Sequence, residues 1–371
     1  MEALELRSTI TSDGKLKLAL EEAALPEPGP GEIVIRVEAA PINPSDLGLL
    51  LGPADVDTIE AGGTADRPTI TAEVPAQRLP LMKARLDQSM AVGNEGSGTV
   101  VAAGEGAEGL MGKLVALVPG GMYATHRLAR AADAWVLPEG VTAAEGASPF
   151  VNPMTSLAMV ETLRMEGHSA LVHTAAASNL GQMLNRICLA DGVPLVNIVR
   201  SEAQAAILRG LGAKYIVDSS APDFTAALTE AVAETNATLA FDAVGGGTLI
   251  NTILRAMEAA QQRKMKAYSR YGSSVHKQVY LYGMLDTSPT MLDRSYGLAW
   301  GVTGFLVSNF LMRAGAETAA RMRARVANEL RTTFASSYTA EISLAEALDP
   351  ETLRAYARKA TGEKYLINPA K

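Results

Sequence analysis

From about Ala147 to residue 307, short apolar runs alternate with amphipathic stretches, and this alternation constrains the fold more than any other feature. The runs predict buried strands at 170–174, 193–199, 215–217, 239–244, 279–282 and 304–307. Apolar residues at helical spacing predict helices at 179–190 and 202–211, the second ending before Gly212. Strands and helices in this order are typical of an α/β domain with a doubly wound parallel sheet.

The two ends of the chain have a different character. The first third is rich in predicted strands, at 32–39, 98–102 and 113–118, and a further short strand is predicted at 365–367. A chain of 371 residues is longer than an ordinary single domain with one compact core, so two domains are expected.

Composition narrows the function. A formal net charge of -7 argues against a nucleic-acid-binding surface. The single cysteine, Cys188, excludes an internal disulfide and a zinc site built from several thiolates. The most apolar stretch, 298–312, is shorter than the roughly 20 residues of a membrane-spanning helix, so it is interpreted as a buried strand and no membrane partner is expected. Without a targeting pattern, the cytoplasm is the expected location.

The unit from 170 to 200 predicts a dinucleotide site. A small-residue turn joins its strand to its helix, so the backbone can approach a diphosphate and the helix N-terminus can hold the anion. Only one glycine of the usual GxGxxG pattern remains, and an ordinary turn that binds nothing is the alternative. The predicted contacts are Thr174, Ala176, Ala177, Ser178, Asn179, Leu180 and Gly181.

The end of the next predicted strand indicates which dinucleotide is bound. NAD-binding proteins place a carboxylate here against the ribose 2′-hydroxyl, whereas this chain has Arg200 and Ser201. A cation and a hydroxyl suit a 2′-phosphate, and Ser219 is a further hydroxyl for the same pocket. The sequence therefore favours NADPH as cofactor, with a solvated surface arginine as the alternative interpretation.

Seven short segments, in this order, resemble the medium-chain dehydrogenase/reductase superfamily, and in particular its zinc-free quinone reductase and enoyl reductase branches. They are GEIVIRV at 31–37, INPSD at 42–46, GNEGSG at 93–98, GGMYA at 120–124, VNPMT at 151–155, FDAVG at 241–245 and YG at 282–283. Each is unspecific alone, and their shared order and spacing carry the resemblance.

The resemblance implies a β-rich, GroES-like catalytic domain built from both chain ends, at 1–147 and 312–371, around a Rossmann-type domain at 148–311. It also implies a cleft between the two domains and a homodimer formed through the edge of the nucleotide-binding sheet. Further cofactor contacts are implied at the ends of the later strands, at Val244, Gly245, Tyr282, Gly283, Phe305 and Val307.

The resemblance also bears on metals. Zinc-using relatives carry Cys and His at positions that are here Asn43 to Asp46 and Asn94, and none of the four histidines forms a pair with ligand spacing. No metal is therefore expected. The resemblance instead implies hydride transfer from NADPH to a small-molecule acceptor, a quinone or an α,β-unsaturated carbonyl compound, in which delocalisation spreads the developing charge. The candidate positioning residues are Asn43, Asn152 and Thr155, and Tyr123 is the candidate phenolic donor.

Two alternative functions remain open: a trans-2-enoyl-thioester reductase, and an NADPH-binding pseudoenzyme or sensor. The thioester alternative is weakened because the tyrosine that enoyl reductases carry after INPSD and a glycine is absent here, where Gly52 is followed by Pro53. Two segments are longer than in the family. The connection at 56–88 is interpreted as a loop that is a lid or shapes the pocket, and 263–277 as a solvated basic loop rather than a contact for phosphate or an acyl carrier.

Overall fold

The computed structural model describes residues 1–371 and divides into two compact units. The first unit comprises Met1–Val151 and Ala327–Lys371, and the second comprises Asn152–Val326. The predicted boundary after 311 instead falls inside a helix, Val307–Asn328, which runs on beyond it and is kinked at Gly315.

The first unit contains two β-sheets. The five-stranded sheet has the order β4-β5-β2-β1-β6, and the seven-stranded sheet has the order β10-β8-β7-β3-β20-β19 with β9 paired to β3. The strands are β1 (Glu2–Ile10), β2 (Lys15–Ala24), β3 (Glu32–Pro41), β4 (Glu60–Gly63), β5 (Pro68–Glu73), β6 (Met90–Ala91), β7 (Gly96–Ala103), β8 (Leu114–Leu117), β9 (His126–Arg130), β10 (Trp135–Val136), β19 (Ala340–Ile342) and β20 (Tyr365–Ile367), and the α-helices are α1 (Pro44–Leu50), α2 (Ala143–Gly146) and α9 (Pro350–Ala357).

Alternation of apolar and polar residues explains these strands. In β2 the side chains of Leu16 and Leu18 are buried and that of Lys17 between them is exposed, the pattern of a sheet that covers a core on one face. The end of the chain joins this core, because β20 pairs antiparallel with β3 and Leu353 on α9 is fully buried. Both ends of the chain thus build the first unit.

The second unit has a six-stranded parallel sheet with the order β13-β12-β11-β14-β16-β18. Its strands are β11 (Leu171–His173), β12 (Leu195–Val199), β13 (Tyr215–Asp218), β14 (Leu239–Asp242), β16 (Lys277–Leu281) and β18 (Trp300–Gly304), a separate pair is formed by β15 (Gly245–Gly247) and β17 (Asp286–Thr290), and the helices are α3 (Val151–Met165), α4 (Asn179–Asp191), α5 (Glu202–Gly210), α6 (Phe224–Thr235), α7 (Leu249–Gln262) and α8 (Val307–Asn328). The doubly wound α/β fold is therefore confirmed, together with a separate β-rich unit.

The prediction for 298–312 is wrong in three respects. The sixth strand, β18, ends at Gly304 rather than beginning there, and it is a half-exposed edge strand rather than a buried one. The second half of the stretch starts helix α8 at Val307. A short apolar run has no period that separates strand from helix, so the sequence does not resolve such a boundary.

The two longer segments are ordered in different ways. The connection at 56–88 is not a structureless loop, since β5 within it pairs with β2 and a 3₁₀ helix follows at Ala76–Arg85. The basic segment at 263–277 is irregular and ends in a buried ion pair, with the Lys277 Nζ 2.5 Å from a carboxylate oxygen of Glu258. No helix of the protein combines the length and the apolar character needed to cross a bilayer.

Candidate functional site

The turn between β11 and α4 brings the predicted diphosphate-binding residues together. Ser178 is the N-cap of α4, and its Oγ accepts a hydrogen bond from the Gly181 N–H at 3.2 Å. A Cβ on Gly181 would lie 2.2 Å from the carbonyl oxygen of Ala176, so only glycine permits this approach of helix to turn. Ala176 and Ala177, which form part of the turn, are buried. The first turn of α4 consequently presents backbone N–H groups at the carboxyl edge of the sheet.

The remaining predicted turn residues have distinct roles. Thr174 is buried, and its hydroxyl donates to Asp242 at 2.7 Å and accepts from the Ala243 N–H at 2.8 Å. Asn179 and Leu180 are the first two residues of α4. Thr174 therefore ties the ends of two neighbouring strands together, rather than presenting a free hydroxyl at the edge.

The predicted 2′-phosphate residues lie at the carboxyl ends of β12 and β13. Arg200 follows β12 with an exposed side chain, which has no ion-pair partner in the chain. Ser201 is the N-cap of α5, and its Oγ accepts the Gln204 N–H at 3.3 Å. Ser219 follows β13, where its N–H donates to the Val199 carbonyl oxygen at 2.7 Å. Arg200 and Ser219 thus end adjacent strands, while the Ser201 hydroxyl is already used by its own helix.

The strand order creates a topological switch point between β11 and β14. From β11 the chain winds outward through β12 to β13, and it then returns to the other side through β14. In open α/β sheets, ligands bind in the crevice outside the carboxyl ends of the strands at such a point. The turn that leads from β11 to α4, against which Gly181 packs, leaves β11 at this crevice.

A buried carboxylate that was not predicted from the sequence, Asp242, holds the loop after β14, the second strand of the switch point. Asp242 ends β14, and its two oxygens accept the N–H groups of Val244 at 3.2 Å and Gly245 at 2.7 Å. Gly283 packs so closely here that a Cβ would lie 2.7 Å from the Ala243 carbonyl oxygen. An acidic residue directly after a buried strand and before several glycines was the available signal.

The predicted residues at the ends of the last strands share this edge of the sheet. Tyr282 and Gly283 follow β16, Phe305 follows β18, and Val307 is the first residue of α8. The ring of Phe305 packs edge-on against Phe241, with the ring centroids 5.0 Å apart. The structure thus places all the predicted cofactor contacts at one edge of the parallel sheet.

The first unit contains a second polar cluster, which includes one of the predicted catalytic residues, Asn43. The Asn43 Nδ2 donates to Glu95 Oε1 at 2.9 Å, and the other carboxylate oxygen of Glu95 accepts the N–H groups of Phe150 and Val151, each at 2.9 Å. Asp46 accepts the Asn43 N–H at 2.8 Å. Burial raises the pKa of Asp46 to about 7, and burial likewise raises the pKa of Glu95.

Lys364 supplies a positive charge near this cluster. Its Nζ donates to the Ser148 Oγ at 2.9 Å and lies 5.3 Å from the ring centroid of Tyr338. Burial lowers the pKa of Lys364 to about 8, against the opposing effect of Glu95. Asp46, Glu95 and Lys364 were missed as functional candidates, because nothing in the sequence indicates that residues so far apart share one buried site.

The other predicted catalytic residues lie elsewhere. Tyr123 is fully buried, and its hydroxyl donates to the Pro41 carbonyl oxygen at 3.1 Å. Asn152 and Thr155 belong to the second unit, where they lie three residues apart on α3 and are largely buried. No group of three or more His, Cys, Asp or Glu side chains in the chain is arranged to hold a metal ion.

The chain is similar in structure to a protein described as a reductase. A solved structure from Mesorhizobium loti, described as a putative NADPH:quinone reductase, is 27% identical with a TM-score of 0.73, over 99% of this chain and 98% of that chain. No family model matches the sequence.

Two curated relatives match part of the chain. The synaptic vesicle membrane protein VAT-1 homolog of Rattus norvegicus is 28% identical over 57% of this chain and 46% of its own length. The mitochondrial enoyl-[acyl-carrier-protein] reductase of Bos taurus is 27% identical over 53% of this chain and 47% of its own length. The match thus spans about half the length of either relative.

The protonation of Asp46 predicts a pH-dependent stability. The pKa of Asp46 is about 7 in the folded chain against an ordinary value of 3.8. As the pH rises, the unfolded chain therefore loses this proton at a lower pH than the folded chain does. The free energy of unfolding should therefore fall as the pH rises from about 4 to about 7, by at most about 1.4 kcal/mol per pH unit from this group.

Urea unfolding of the wild type and Asp46→Asn across this pH range measures that contribution. The variant cannot titrate at this position, so its free energy of unfolding should depend less steeply on pH. Asp57→Asn, which changes an exposed carboxylate, is the control and should keep the wild-type slope. Equal slopes for the wild type and Asp46→Asn would contradict the assignment.

Proposed function

We propose that the chain is a member of the medium-chain dehydrogenase/reductase superfamily, and that it is an NADPH-dependent oxidoreductase that reduces a quinone or an α,β-unsaturated carbonyl compound. One observation carries the proposal: the turn that only Gly181 allows to form lies at the switch point of the parallel sheet, one strand away from the unpaired guanidinium of Arg200. Such an arrangement suits a diphosphate that carries an additional phosphate group nearby.

The residues at the sheet edge fit NADPH. The first-turn N–H groups of α4 would hold the diphosphate, and Arg200 and Ser219 would hold the 2′-phosphate. Gly181 is consistent with this role, because any side chain at this position would collide with the backbone of the turn before α4, where the diphosphate would lie. When bound, the reduced nicotinamide supplies a hydride to the acceptor.

An acceptor with a conjugated carbonyl can be reduced without a metal. Hydride addition to a quinone or an enone leaves negative charge spread over a conjugated system, so a hydrogen-bond donor and water suffice and no Lewis acid is required. Asn43, Asn152 and Thr155 are the proposed positioning residues. Tyr123 is omitted, because its hydroxyl already donates to Pro41 in the core and none of its side chain is exposed.

A homodimer through the edge of the sheet is also part of the proposal. β18 pairs with β16 on one side only, which leaves its other side open to a second strand. Large apolar side chains close to it in sequence are exposed, namely Leu298 at 74%, Leu306 at 58% and Met312 at 75%. An open strand edge with exposed apolar side chains is suited to pairing with a second copy of the chain.

The second candidate function is reduction of an enoyl thioester, which the similarity to the enoyl-[acyl-carrier-protein] reductase favours. NADPH oxidation should be followed with quinones, enals, enones and enoyl thioesters, with NADH as the control cofactor. We expect turnover with quinones or enones and a preference for NADPH. Turnover confined to thioesters would favour the second candidate, and tight NADPH binding without any turnover would favour a sensor.

The assignment of the 2′-phosphate predicts a cofactor-specific effect. Arg200→Glu should raise the dissociation constant for NADPH by at least about 10-fold, because a charge-assisted hydrogen bond is replaced by repulsion. Binding of NADH, which lacks this phosphate, should change little. Both constants can be measured by fluorescence titration of the reduced dinucleotides.

Arg209→Glu is the matched control for this prediction. Arg209 is an exposed arginine on the following helix, α5, and pairs with Glu202. Its replacement should leave both dissociation constants close to those of the wild type. Equal weakening of NADPH and NADH binding by Arg200→Glu would remove the assignment.

The proposed dimer predicts that a charge at the sheet edge yields monomers. Leu306→Glu combined with Leu298→Glu should convert the dimer to a monomer in analytical ultracentrifugation, because association would then bury unpaired carboxylates. Met165→Glu, at another exposed apolar position of the second unit, should remain dimeric. A wild-type chain that sediments as a monomer would refute this part of the proposal.

A further inference from the structure

A histidine–tyrosine pair lies at the switch point of the parallel sheet. His173 ends β11 and is fully buried, and its Nε2 lies 2.7 Å from the hydroxyl oxygen of Tyr282, which follows β16. The two rings stack with their centroids 5.7 Å apart. Because β14 separates β11 from β16, the Tyr282 side chain must cross the end of β14 to reach His173. Its hydroxyl therefore lies beside the last residue of β11, next to the switch point.

The protonation of His173 decides what the Tyr282 hydroxyl can do. Burial lowers the pKa of His173 to about 3, so the imidazole is neutral and only one of its nitrogens carries a hydrogen. The other ring nitrogen, Nδ1, is buried without a hydrogen-bond partner. A buried N–H without an acceptor is rarer and costlier than an unused lone pair, so the hydrogen belongs on Nε2.

With the hydrogen on Nε2, His173 donates to the Tyr282 oxygen and the tyrosine keeps its own hydrogen. Nothing else in the chain accepts that hydrogen, and Tyr282 is half-buried rather than sealed in the core. Burial and the nearby Asp242 raise the pKa of Tyr282, so the hydroxyl stays protonated and acts as a donor. The neighbouring Tyr280 differs, because its hydroxyl donates to Glu166 at 2.7 Å.

We propose that Tyr282 donates a hydrogen bond to a carbonyl oxygen of the ligand bound at this edge of the sheet, and that His173 is the positioning residue that orients its hydroxyl. The inference rests on the proposed function, which supplies two carbonyl groups: the carboxamide of the nicotinamide and the carbonyl of the acceptor. In the second case the hydride adds to the acceptor, negative charge develops on its oxygen, and Tyr282 stabilises that charge until solvent supplies the proton.

Tyr282→Phe tests the inference. The matched control is Tyr280→Phe, which removes a tyrosine hydroxyl two residues earlier, on β16. If the carboxamide is the partner, the variant should bind NADPH about 10-fold more weakly in a fluorescence titration. If the acceptor is the partner, NADPH binding should be unchanged and kcat should fall by about 10²-fold with little change in the KM for the acceptor. The inference would be overturned if the NADPH dissociation constant, kcat and KM of Tyr282→Phe all lay within about twofold of the wild-type values. Loss of even a weak hydrogen bond changes an equilibrium or rate constant by more than about twofold.

His173 variants give a second, independent measurement. His173→Leu removes the N–H that orients Tyr282 and should reproduce the change seen for Tyr282→Phe. His173→Gln restores an N–H donor and should recover most of it, which a merely structural role would not require. If His173→Gln and His173→Leu behave alike while both remain folded by circular dichroism, the positioning role is overturned.

Failure of the proposed function would look different. A wild-type chain that binds neither NADPH nor NADH overturns the proposed function, and this inference with it. A wild type that binds and turns over normally, beside a Tyr282→Phe variant with the same constants, overturns this inference alone.

Discussion

The second unit depends on how closely helix α4 approaches the turn that precedes it. A single Cβ on Gly181 would come within 2.2 Å of the Ala176 carbonyl oxygen, so one residue type fixes the distance between helix and turn. The same turn holds Ala175 at a φ of 48°, in the left-handed region that alanine seldom adopts. Buried neighbours on both sides hold it there. The result is a helix N-terminus directed at the carboxyl edge of the sheet, where an anion would be stabilised.

Buried carboxylates fix the loops of both units in the same way. Asp242 accepts two N–H groups from the residues that follow β14, and Glu95 accepts two at Phe150 and Val151. Backbone N–H groups in such loops have no strand to pair with, so an uncompensated buried donor would be costly. The carboxylates satisfy these donors, and desolvation is the cost, visible in the raised pKa values of Glu95 and Asp46. Loops that carry candidate functional residues are thereby held in defined positions.

The sequence predicted some features of the fold much better than others. The helix at α4 and the strands flanking it were predicted to within a few residues, because strong periodicity and small-residue turns coincide there. The stretch after Leu298 was not, because short apolar runs fit a strand or a helix equally well. The sequence predicts a loop at 56–88, because β4 and β5 are short and β2, with which β5 pairs, lies some distance earlier in the sequence.

The sequence by itself determined the local features behind the predicted dinucleotide contacts: small residues between a strand and a helix, a glycine in the first turn of that helix, and an arginine after the next strand. Those features belong to the residues and their immediate neighbours, so they can be read from the sequence, and the contacts themselves stay predictions. Only the tertiary structure decided which polar groups remain available. The hydroxyl of Tyr123 donates to the Pro41 carbonyl oxygen, whereas the hydroxyl of Tyr282 is paired with His173 and its hydrogen remains available for a ligand. These hydrogen-bond partners come from strands far apart in the chain, so no local sequence pattern indicates them.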